Sequence, residues 1–188
     1  MKHRPGALSV LMAAVIGGCA HGPGAGVWVG TEIQIPEPIE ISAGSARAWF
    51  QGGRQVSGVD RFEPYCELEI DTVSESPQWS STGNFRVIGE RYSLLRDPIT
   101  RIPTFITGFN CSDPLFQESI WRLDGTAGSN LHSLRCVVAY FDCRIGPPVT
   151  LPQAQAVVGP RIRLFDGPGS ARSLGSATDP RSDRSGRD

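Results

Sequence analysis

The sequence predicts an all-β domain, a small sandwich or barrel of about seven short strands with one short helix near the C-terminal strand. Three observations carry that expectation. Glycine and proline number 22 and 15 in 188 residues and fall between short apolar runs, not in a repeating triplet, as a turn-rich chain requires. The runs themselves are rich in β-branched and aromatic residues and alternate with polar ones at the two-residue period of a strand with one buried face. A single stretch, Leu151–Val158, has the composition of a helix, with Thr150 placed to cap its start and Gly159 its end.

In chain order, strands are expected at Glu32–Ile35, Ala46–Gln51, Tyr65–Asp71, Asn84–Glu90, Ile120–Leu123, Leu131–Phe141 and Arg161–Phe165. Gly52-Gly53, directly after Trp49-Phe50-Gln51, suits a hairpin turn that needs positive φ. The spacing fits a sandwich and a barrel equally. There is no internal repeat and no heptad pattern.

The body spans about 28–165. The residues before it have the three-part layout of a secretory signal. Lys2, His3 and Arg4 precede the apolar run Ala7–Ile16, which ends in Gly17, Gly18, Cys19 and Ala20. A membrane-spanning helix needs about 20 apolar residues, and this run is shorter. The segment Ile16-Gly17-Gly18-Cys19 resembles the lipobox of bacterial lipoproteins, a resemblance confined to this leader. It implies that residues 1–18 are a signal peptide, that the Cys19 thiol is diacylated and becomes the first residue, and that 19–27 is a lipidated tether. Gly17 and Gly18 supply the flexibility that cleavage at a membrane surface demands. Ala20, where inner-membrane retention would use Asp, implies sorting to the outer membrane. The alternative is ordinary cleavage after Ala20, because Gly18-Cys19-Ala20 also fits the small-x-small pattern.

His21-Gly-Pro-Gly-Ala-Gly26 reads as a flexible tether. Its glycines do not make a nucleotide loop, since no strand precedes them and no helical pattern follows. From Asp166 to Asp188 the composition turns to Gly, Ser, Arg, Asp and Pro, that of a disordered tail.

Charge narrows the chemistry. The 18 basic and 19 acidic residues nearly balance, and setting aside Lys2 and Arg4 leaves a net charge of −3, so no nucleic-acid partner is expected. Lys2 is the sole lysine, which removes Schiff-base chemistry and a phosphate-loop lysine from the body.

Four further cysteines, Cys66, Cys111, Cys136 and Cys143, form an even set in a chain that reads as exported, and two disulfides follow. Of three pairings, Cys66–Cys136 with Cys111–Cys143 is favoured. Cys66 and Cys136 sit mid-strand beside alternating apolar neighbours (Leu68 and Ile70; Leu134, Val138 and Tyr140), as a bridge through a core would. The nearest rival joins Cys136 to Cys143. A zinc site lacks its short C-x₂₋₄-C spacings, and no C-x-x-C suggests redox work.

Candidate chemistry is sparse. His132, at a strand start, is the body's one histidine and would have to act with Cys111 or a serine; it reads as a half-exposed strand residue. Glu67, Glu69 and Asp71 share one strand face about 6.6 to 6.8 Å apart, within the range of inverting-glycosidase carboxylates. The plainer reading is a solvated acidic face with Arg47, Arg86 or Arg135 as cross-strand partners. In the loop 59–65, Phe62 and Tyr65 are expected to cover the core edge while Asp60, Arg61 and Glu63 face water. Asn110-Cys111-Ser112 spells a glycosylation sequon that a bacterial lipoprotein would rarely use. The expectation is thus a membrane-anchored envelope lipoprotein with a structural or binding role and an envelope protein or glycan as partner. No catalytic residue, cofactor or metal ligand is assigned, and the second reading is a polysaccharide hydrolase using a carboxylate pair.

Overall fold

The computed structural model describes residues 29–103, 113–125, 127–142 and 144–167. In chain order these contain β1 (Glu32–Ile35), β2 (Glu40–Ile41), β3 (Arg47–Gln51), β4 (Arg54–Val56), β5 (Tyr65–Ile70) and β6 (Gln78–Trp79). Then come β7 (Gly83–Asp97), β8 (Ile102–Pro103), β9 (Leu115–Asp124), β10 (Leu131–Tyr140), α1 (Leu151–Val158), a 3-10 turn (Gly159–Arg161) and β11 (Arg163–Phe165). The leader, Cys19, the tether, Cys111, Cys143, the sequon and the tail beyond Gly167 lie outside the described residues.

The main sheet is antiparallel, in the order β11-β1-β7-β9-β10-β5-β3-β4, with β8 also paired to β7. It curls into a half-barrel, which decides between the two expected architectures: one sheet bends round its own core instead of stacking on a second. β2 and β6 form a separate two-stranded ladder. The concave face carries Ile33, Ile35, Phe50, Leu68, Phe85, Val87, Trp121 and Leu134, all in one buried cluster with Ala154, Val157 and Val158 of α1.

α1 completes this core because it touches β11 at one edge of the sheet and β3 and β4 at the other. Its N-terminus is a capping box, with the Gln153 N–H donating to Thr150 Oγ1 and the Thr150 N–H to Gln153 Oε1. Gln155 then ties the helix to the last strand: its amide donates to the Gly159 and Ile162 carbonyls at 2.8 and 2.9 Å and accepts from the Leu164 N–H at 2.7 Å. On the other side the Gly53 N–H donates to the Val157 carbonyl at 3.0 Å. Gly159, at φ +64°, lies so close to Gly53 that an added Cβ would collide with its carbonyl.

The sequence-based strands at Glu32–Ile35 and the helix at Leu151–Val158 match the structure to the residue, and Gly52 and Gly53 have φ of 59° and 80°. Other bounds require correction. β7 runs on to Asp97 and β9 starts at Leu115, far beyond the expected 84–90 and 120–123, while Arg161 belongs to the 3-10 turn. β2, β4, β6 and β8 are two or three residues long, too short for any alternation to register. Cys66 and Cys136 are bonded as expected. They are directly opposite each other on the adjacent strands β5 and β10, so the bridge ties neighbours within the sheet instead of crossing the core.

Candidate functional site

The convex face of the sheet holds the charged candidates. Because side chains alternate along a strand and partners stand opposite across it, Glu67 of β5, Arg135 of β10 and Trp49 of β3 form one row. Glu67, Glu118 and Arg135 are 5%, 3% and 1% exposed, so the expected solvated acidic face is wrong for Glu67. The reason is an ion lattice. Arg135 donates from Nη1 to Glu67 at 2.7 Å, from Nε to Glu118 at 2.8 Å and from Nη2 to the Pro98 carbonyl at 3.0 Å. Ser93 donates to the other oxygen of Glu118 at 3.0 Å. The free oxygen of Glu67 has Arg47 and Arg101 at 3.7 and 3.8 Å but makes no hydrogen bond.

The turn after β7 closes this lattice. Asp97 accepts from the Ile99 N–H at 2.8 Å, a local turn that sets the Pro98 carbonyl over Arg135. The backbone N–H groups of Ile99 and, less strongly, Thr100 hold the Asp97 carboxyl below its ordinary value. Burial pushes the guanidinium of Arg135 down, but the carboxylates of Glu67 and Glu118 outweigh it and keep the group charged. Burial also drives the Tyr65 hydroxyl up to about 12, partly countered by the neighbouring Arg135.

The remaining candidates separate. Glu69 is half-buried; burial raises its carboxyl, and the Ser133 hydroxyl at 3.0 Å with the Arg47 and Arg101 charges brings it below the usual range. Asp71 and His132 are both about half exposed, 3.4 Å apart. Arg86 stands opposite Glu32 on β1, away from the acidic row. Tyr65 is buried as expected, but Phe62 is 45% exposed and tilts against Phe116 and Phe141, so it rims the edge instead of sealing it.

A second region, which the sequence reading missed, is an open groove of about 1140 Å³ between β4, the β2–β6 ladder and the 3-10 turn. Glu37, Glu40, Gln55, Trp79, Thr82 and Arg161 line it among others, and neither Glu67 nor Glu118 does. A smaller hollow of about 360 Å³ lies beside Arg91, Arg122 and His132. The signal for the groove was the run Trp79-Ser80-Ser81-Thr82, an aromatic followed by three hydroxyls, which carries no periodicity.

Comparison of the chain with protein-family models, with curated proteins and with solved structures finds no match. The arrangement therefore has to be read from its own chemistry. Two buried carboxylates paired to one arginine are held in place, the arrangement of a structural ion lattice; an exposed tryptophan beside polar groups in a groove is available to a ligand.

Proposed function

We propose that the protein is a lipid-anchored component of a bacterial envelope, held at the periplasmic face of the outer membrane, with the β-domain serving as a binding or structural module. The observation that carries this reading is the sequence Ile16-Gly17-Gly18-Cys19 behind a charged and then apolar leader. The Cys66–Cys136 bridge suits it, since disulfides persist in oxidising compartments. Several acyl chains on Cys19 would anchor the chain for good, each buried methylene adding about 0.8 kcal/mol. From Cys19 to Val29 the chain reaches at most about 36 Å, so the body would stay near the membrane surface. The hydrolase reading, drawn from Glu67, Glu69 and Asp71, has less support, because Glu67 is bound to Arg135, Glu69 to Arg47 and Ser133, and Asp71 faces His132 at the surface.

The test is metabolic labelling of the full chain with a palmitate analogue in a diderm bacterial host. Label should enter the wild-type chain and be lost in Cys19→Ser. An unlabelled wild type, or a Cys19→Ser chain labelled as strongly, would contradict the proposal.

A further inference from the structure

The groove beside Trp79 joins an exposed indole to a backbone held by side-chain hydrogen bonds. Trp79 is 56% exposed although it sits in a strand, because β6 pairs with β2 so that Ile41 is buried and Trp79 and Glu40 stand opposite each other on the outer side. An indole and a carboxylate facing one another across a ladder are about 5 Å apart at their Cβ atoms. Gln55 adds an amide whose nitrogen donates to the Glu40 carbonyl at 2.7 Å, leaving the amide oxygen as an acceptor. Arg161 is steered to the same groove by the Glu37 carboxylate at 3.4 Å and the Pro38 carbonyl at 3.2 Å.

The backbone under the indole is fixed independently. Asn130 donates to the Trp79 carbonyl at 2.9 Å and accepts from the Ser81 N–H at 2.8 Å and its hydroxyl at 2.9 Å. The Ser80 N–H donates to the Ile39 carbonyl at 2.9 Å, and the Ser80 hydroxyl accepts from the Ile39 N–H at 3.0 Å. One asparagine and one serine thus clamp residues 79–81 to the body. A large apolar side chain left in water on a clamped backbone is a preorganised platform, the arrangement that lowers the cost of binding.

We infer that this groove binds a neutral oligosaccharide, with a pyranose ring stacked on Trp79 and its hydroxyls bonded to Glu40, Gln55 and Arg161. The apolar C–H face of a sugar ring matches a flat indole, and its rim of hydroxyls matches a carboxylate, an amide and a guanidinium placed around it. Two carboxylates, Glu37 and Glu40, against one Arg161 give the groove a net negative charge, which selects against an acidic glycan. An extended peptide is disfavoured because β2 and β6 are two residues long and offer little edge to pair with. The inference rests on the envelope reading only for where such a glycan is met.

Calorimetric titration of the full chain in detergent micelles with tetra-N-acetylchitotetraose, cellotetraose and, as an acidic comparison, tetragalacturonate tests it. At least one neutral tetramer should bind with Kd on the order of 0.1 to 1 mM. Trp79→Ala should weaken that binding at least about tenfold, and Glu40→Gln about threefold, both with unchanged circular dichroism. No saturable binding of either neutral tetramer up to about 10 mM, unchanged binding by Trp79→Ala, or tighter binding of tetragalacturonate would overturn it. Running the same titration on the Cys19→Ser chain keeps the two proposals apart: loss of the anchor leaves sugar binding intact, and loss of sugar binding leaves the anchor untouched.

Discussion

The two faces of one sheet are buried differently: the concave face by the main apolar cluster, the convex face by an ion lattice beside a small apolar cluster of Tyr65, Leu95, Phe116 and Val137. On the concave face Trp121, Leu134, Leu68 and Ala48 sit in cross-strand register and pack against an apolar helix. On the convex face, one residue along in each strand, the row is Ile120, Arg135, Glu67 and Trp49, and a turn covers it with a carbonyl. Apolar packing tolerates approximate shapes, whereas a buried charge is tolerable only with every partner in place. The concave side therefore supplies most of the driving force, and the convex side fixes which residues of β5, β9 and β10 meet.

The sharpest way to break that contrast is at Arg135. Arg135→Met should destabilise the domain by about 3 to 5 kcal/mol, because Glu118 is left buried with no cation and Glu67 keeps only the longer contacts to Arg47 and Arg101. Adding Glu67→Leu and Glu118→Leu should return stability to near the wild-type level, as measured by urea unfolding. A triple variant no better than the single one would mean that the lattice contributes more than charge compensation.

The seam where the helix meets the β3–β4 turn comes next. Gly159→Ala introduces both a strained φ and a collision with Gly53, and should cost about 1 to 3 kcal/mol in the same experiment. The helix should stay formed, since its capping box at Thr150 and Gln153 is far from the substitution, although the Gln155 bond to the residue 159 carbonyl should weaken. A variant as stable as wild type would show that the half-barrel does not depend on this contact.

The smallest effect is in acid. Glu69 and Asp97 have folded values below their ordinary ones, so each stabilises the fold above the usual carboxylate range and loses that contribution as pH falls through its folded value. Unfolding midpoints should hold steady from pH 7 to about 5 and decline below about 4. Glu69→Gln should flatten part of that decline.

How much the sequence disclosed follows the same division. β1, the helix and the Gly52-Gly53 turn were legible because local chemistry alone specifies them: strict alternation, a threonine and a glycine placed to cap the helix, glycines where φ is positive. The ends of β7 and β9 were hidden because Ser93, Glu118 and Ser119 carry polar groups into a buried surface, which breaks the alternation that marks a strand. Glu67 was read as solvated for a related reason: Arg135 could be named as a cross-strand partner, but it lies 68 residues away in the chain, and nothing near Glu67 shows that the pair is covered by the turn at Pro98. Trp79 went unread as a site because its strand is two residues long and its clamp, Asn130, is equally remote.

The lipid anchor and the disulfides are tested most directly by the intact mass of the protein taken from its own membranes, before and after reduction. The expected species is a chain beginning at Cys19 that carries acyl groups and gains two hydrogens for each bridge opened. A mass matching an unmodified chain that begins at His21 would contradict it and leave an exported domain with no lipid anchor.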